Sequence, residues 1–71
     1  MQQTTRKRIA TAITTNFPDA QVSWNGAGQM ITLYVMKEHG GDEYQLTIDS
    51  SYATTPKEVA QLITDILDAL R

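Results

Sequence analysis

From Met30 to Lys37 the chain alternates, with Ile31, Leu33 and Val35 on one side and Met30, Thr32, Tyr34 and Met36 on the other. A period of two marks a strand with one buried face. This is the longest and most β-prone segment, and its composition predicts a place at the centre of a sheet. A shorter alternation precedes it, with Ala20, Val22 and Trp24 pointing one way and Gln21 and Ser23 the other. A third follows, with Tyr44, Leu46 and Ile48 against Glu43, Gln45, Thr47 and Asp49. The connections are Asn25-Gly26-Ala27-Gly28 and Glu38-His39-Gly40-Gly41-Asp42. Both are rich in residues that tolerate positive φ, which predicts two hairpins and an antiparallel meander.

The flanking segments carry a different period. Ile9, Ala12, Ile13 and Phe17 recur at three- and four-residue spacing and predict an amphipathic helix over 4–16. Asn16 is suited to a left-handed C-terminal residue, and Pro18 forbids continuation. At the other end Thr55-Pro56-Lys57-Glu58 offers a threonine N-cap, proline in the first turn and a glutamate placed for a capping box. Val59, Leu62, Ile63, Ile66, Leu67 and Leu70 then cover about half the circumference at about 100° per residue. That width predicts a helix touching both the sheet and the first helix. The expected fold class is α+β: a two-layer α-β-β-β-α single domain over residues 1–71, its three-stranded antiparallel meander covered by both helices on one face.

Composition narrows what such a domain can do. With 71 residues there is room for one core, and with no cysteine neither disulfides nor thiolate metal sites are available. The start carries Arg6, Lys7 and Arg8 with no apolar run behind them, and no stretch approaches the ~20 apolar residues of a membrane span. A cytoplasmic protein is expected, with no membrane partner. The net charge of −2 divides unevenly. Residues 1–37 set Arg6, Lys7, Arg8 and Lys37 against Asp19 alone, while residues 38–71 set Lys57 and Arg71 against Glu38, Asp42, Glu43, Asp49, Glu58, Asp65 and Asp68. An acidic half of this kind meets a basic partner more naturally than nucleic acid.

Catalytic chemistry finds little to work with. There is no phosphate loop, no His-Glu-x-x-His pair, and His39 is the single histidine, in a glycine-flanked turn. No catalytic, cofactor-binding or metal-ligating residue is assigned, and no enzyme is expected. Glu38, His39, Asp42 and Glu43 could be drawn as a hard-metal cluster, but acidic hairpin tips are ordinarily just solvated. The polar stripe Glu58, Gln61, Asp65 and Asp68 reads as a solvated helix face. More telling are Met30, Tyr34 and Met36, which alternation puts on the helix-free side of the sheet. An aromatic ring and two thioethers on one strand make a contact patch. The candidate partner-binding residues are therefore Tyr34 and Met36 with Glu38, Asp42 and Glu43 at the turn.

Arg6, Lys7 and Arg8 define the alternative. They sit in a helix's first turns, where the dipole disfavours cations by a few tenths of a kcal/mol when exposed. Local helix stability did not select them, so they are the candidate contacts of a nucleic-acid-binding domain. A self-associating structural subunit, using a sheet edge or the surplus apolar width of the last helix, is the third reading.

Two families share this order of elements. Over nearly the whole chain it resembles the double-stranded-RNA-binding domain, whose second helix begins with a lysine cluster. Here that position reads Thr55-Pro56-Lys57-Glu58, and the loop expected to reach the minor groove is only Asn25-Gly26-Ala27-Gly28. No functional residue carries over. Ile31-Thr32-Leu33-Tyr34-Val35, the turn Gly40-Gly41-Asp42-Glu43-Tyr44 and Ile48-Asp49-Ser50 resemble small phage anti-CRISPR proteins. That resemblance implies an inhibitor presenting carboxylates where a partner would bind DNA phosphates. The chain is less acidic than that group and lacks its additional helix.

Overall fold

A computed structural model describes residues 1–71. The elements run α1 (Gln3–Asn16), β1 (Gln21–Asn25), β2 (Met30–Met36), β3 (Glu43–Asp49), a 3₁₀ turn (Ser50–Tyr52) and α2 (Pro56–Leu70). The sheet is an antiparallel meander in the order β1-β2-β3. Its register aligns Trp24, Leu33 and Leu46 in one inward row and Val22, Val35 and Tyr44 in the next, with Ile31 opposite Ile48. Ile31, Leu33 and Val35 are fully buried, and each contributes about 1.5–3 kcal/mol on leaving water. Ile9 and Ile13 of α1, and Ile66 and Leu70 of α2, pack with Leu33, Val35 and Ile48 in a single cluster. Both helices therefore cover the same sheet face, as the alternation predicts, and they also touch each other. No helix is long and apolar enough to cross a membrane.

The two hairpins use glycine where φ is positive. Gly26 has φ 103°, and an added Cβ would lie 3.2 Å from the Met30 carbonyl, so the β1–β2 loop admits no side chain there without a shift. Gly40, at φ 78°, reverses the chain between β2 and β3.

The start of α2 carries the full reciprocal cap. Thr55 Oγ1 accepts from the Glu58 amide at 3.2 Å, and Glu58 Oε1 accepts from the Thr55 amide at 3.2 Å and from the Thr54 and Thr55 hydroxyls at 3.0 Å. The Thr54 and Thr55 hydroxyls hold the Glu58 carboxyl below the usual carboxylate range. Thr55→Ala strips an acceptor from a helix-starting N–H and is expected to cost about 1 kcal/mol. For a domain of this size the melting temperature falls by about 4–8 °C. An unchanged thermal unfolding curve would show that the threonine hydroxyl does not anchor the helix.

Two local features differ from the sequence expectation. Asn16 is not left-handed, since no residue other than glycine has positive φ. Instead its side-chain amide donates to the Ala12 carbonyl at 2.8 Å, and the Phe17 amide closes the last turn on Ile13 at 2.8 Å. The turn Ser50–Tyr52 has no apolar period to reveal it. Asp49 caps it, accepting from the Ser51 amide at 3.0 Å and hydroxyl at 2.7 Å and from Gln29 at 3.2 Å. These donors, the Ser51 hydroxyl foremost, hold the Asp49 carboxyl below its ordinary range.

Candidate functional site

The helix-free face of the sheet is built by the outward half of each alternation. Tyr34 lies between Ser23 on β1 and Gln45 on β3, and Met36 lies between Gln21 and Glu43. Tyr34 and Met36 are half-buried and Met30 is 54% exposed, although no helix covers this side. Antiparallel neighbours opposite each other sit about 4.5–5.5 Å apart, so Tyr34, Met36 and Glu43 form one contiguous patch. None of the outward residues on the three strands is Lys or Arg, whereas Glu43 and Asp49 place a carboxylate near each end.

Register brings Tyr34, Met36 and Glu43 together. Asp42 stands exposed beside them at the β2–β3 tip. Glu38 opens the turn, its side chain lying against Gly41. Its carbonyl accepts from the Gly41 amide at 3.0 Å, and its side chain borders a hollow shared with Phe17, Asp19 and Lys37 at the end of α1. The only ion pair in the molecule joins Arg71 to Asp68 at 3.4 Å, so Glu38, Asp42 and Glu43 have no cationic partner. His39 is exposed in the same turn, and no three His, Asp or Glu side chains converge as metal ligands would.

Lys37 explains part of this imbalance. It follows Met36 with the inward phase of β2, and its Nζ donates to the Leu70 carbonyl at the end of α2 at 2.6 Å. The ammonium also lies 5.5 Å from the Phe17 ring centroid and 5.1 Å from that of Tyr44. The one cation next to the acidic turn is thus engaged on the opposite layer.

The basic cluster at the start of α1 does not act as one surface. At about 100° per residue the three fan around the helix, and only Arg6 turns toward the sheet. Arg6 lies over the Trp24 ring, 5.5 Å from its centroid, and reaches the Gly26 carbonyl at 3.5 Å. At that length the hydrogen bond is weak, and stacking on tryptophan dominates. Arg6 therefore has a tertiary role that its helix position alone conceals. It pins α1 to the β1–β2 hairpin. Lys7 and Arg8 remain exposed and, with Thr4 and Thr11, border a depression against Ile63 of α2. Two free cations remain where the sequence offered three.

The patch can bind by apolar contact and by charge: a ring and a thioether flanked by unpaired carboxylates. Neither the Lys37 clamp nor the Arg6–Trp24 stack has a periodic signature, and both depend on how the helices cross the sheet. Compared with known protein families, curated proteins and solved structures, the chain matches none of them significantly.

Proposed function

We propose that this chain is a non-catalytic protein-binding module that engages the basic surface of a partner protein through its open sheet face and acidic turn. One observation carries the reading: Tyr34, Met36 and Glu43 are contiguous on a face without a single cation, beside Asp42, and none of the carboxylates is neutralised internally. Half-buried aromatic and thioether groups supply affinity when desolvated, and unpaired carboxylates steer a cationic partner into place. The resemblance to small phage anti-CRISPR proteins extends this to an inhibitor or accessory protein of a phage or mobile element, acting in the cytoplasm by covering a phosphate-binding surface. The nucleic-acid alternative loses ground because Arg6 is committed to Trp24.

The test is capture of a partner from host lysate followed by surface plasmon resonance with folded variants. Tyr34→Ala is expected to weaken binding by about tenfold or more, mainly through faster dissociation. Reversing Asp42 and Glu43 to lysine slows association and changes its salt dependence. Near-native affinity for both variants would move the working surface elsewhere. Micromolar binding to duplex RNA or DNA near ~150 mM salt, lost on reversing Lys7 and Arg8, would establish the nucleic-acid reading instead.

A further inference from the structure

The free edge of β3 offers a second surface, which meets the open face at Thr47 and Asp49. β3 pairs only with β2 and ends the sheet. None of the backbone hydrogen bonds outside the regular elements, and no side-chain hydrogen bond, uses a backbone group of residues 43–49. Every second N–H and C=O along this strand therefore faces outward without an intramolecular partner, the arrangement that recruits another strand. The apolar layer beneath is also incomplete at this edge. The inward residues of central β2 are fully buried, whereas Tyr44 and Leu46 of β3 and Leu62 of α2 are only half-buried. A groove of about 380 Å³ runs between the end of β3 and α2, with Ile48 and Leu62 among its walls.

Charge selects the occupant. Asp49, Glu58 and Asp65 line the groove, and no Lys, Arg or His does. Hydrogen-bond donors keep Asp49 and Glu58 ionised, and Asp65 is exposed and bonded only to Gln61 at 3.0 Å. A second copy docking β3 against β3 would bring two such sets of carboxylates together, which disfavours it. We propose that the β3 edge and its groove bind an extended basic segment of another protein as a fourth strand, its backbone pairing with β3 and its alternate side chains lying over Leu62 and beside the three carboxylates. The edge of β1 lacks these features. It is five residues long rather than seven, and no comparable groove lies beside it.

Three fluorescein-labelled heptapeptides test this against the full chain: one alternating lysine and valine, one with glutamate for lysine, and one lysine–valine peptide N-methylated at every internal amide. The lysine–valine peptide is expected to bind, with new amide-exchange protection on β3 and NMR shifts centred on Thr47, Ile48 and Asp49. The glutamate and N-methylated peptides are expected to bind at least about tenfold more weakly, because the first repels the groove and the second cannot donate to a strand. Asp65→Lys, at an exposed helix position, should stay folded and lower lysine–valine affinity by about tenfold. Equal binding of the N-methylated peptide would reduce the effect to charge and overturn strand addition. Shifts confined to Tyr34 and Met36 would assign the peptide to the open face and overturn it as well. No binding near ~1 mM, about −4 kcal/mol, would do the same. So would concentration-dependent β3 protection without peptide, with dimers in sedimentation, which would make the occupant a second copy.

Discussion

Leu33→Ala is expected to remove about 2–5 kcal/mol of stability, the range for emptying a well-packed core site. Leu33 is fully buried on the central strand, with Trp24 and Leu46 beside it in register and both helices packed above the same layer. At about 0.05–0.15 kcal/mol per residue, a chain of 71 residues has roughly 4–11 kcal/mol in total. The substitution therefore consumes from about a fifth of that to all of it. Urea denaturation followed by circular dichroism should show a much lower midpoint with an unchanged slope, since the surface exposed on unfolding is nearly the same. Leu33→Met keeps the volume and should cost less than about 1.5 kcal/mol. Thr32→Ala, one residue away on the outward side, should stay within about 0.5 kcal/mol of the native chain. Equal losses at 32 and 33 would mean that the two faces of β2 are not distinguished by burial.

That contrast is legible in the sequence, and so is most of the fold. Period two over 30–37 and period 3.6 over 59–70 each leave one apolar side, and two helices flanking a meander have one shared face to cover. The capping box at Thr55 and Glu58 is equally plain, because all its partners lie within four residues. Long-range polar contacts are not. Arg6 reaches Trp24 across eighteen residues, and only the crossing of α1 over the β1–β2 hairpin puts the guanidinium above the indole. Of the candidate site, Tyr34, Met36 and Glu43 can be grouped from alternation alone. The place of Glu38 cannot be read that way, because the inward phase of β2 carries only as far as Lys37 and the turn that follows orients its side chains by its own geometry.

Lys37 is the clearest case of a residue whose role only packing reveals, and Lys37→Met is expected to cost about 2 kcal/mol. α2 has no basic residue in its last turn, so its terminal carbonyls meet no cation of their own there. Lys37 supplies one from the end of β2, 2.6 Å from the Leu70 carbonyl and between the rings of Phe17 and Tyr44. A hydrogen bond from a charged donor is worth about 1.5–3 kcal/mol, a cation at a helix end about 0.3–2, and each aromatic contact about 0.5–1. These describe one ammonium from three sides and do not add, which is why the expected loss lies below their sum. Methionine keeps the aliphatic stem and removes the charge. Lys37→Ala should cost more, because it removes the aliphatic stem as well as the charge. In thermal unfolding, Lys37→Met should lower the melting temperature by about 8–16 °C, more than Thr55→Ala at the other end of the same helix. Added salt should recover little of it, because a part-buried contact is weakly screened. A double-mutant cycle with Tyr44→Leu isolates the ring contact, with an expected coupling of about 0.5–1 kcal/mol. A Lys37→Met protein melting with the native chain would show that water satisfies the end of α2, and that the ammonium is free to offset Glu38 and Asp42 at the acidic turn.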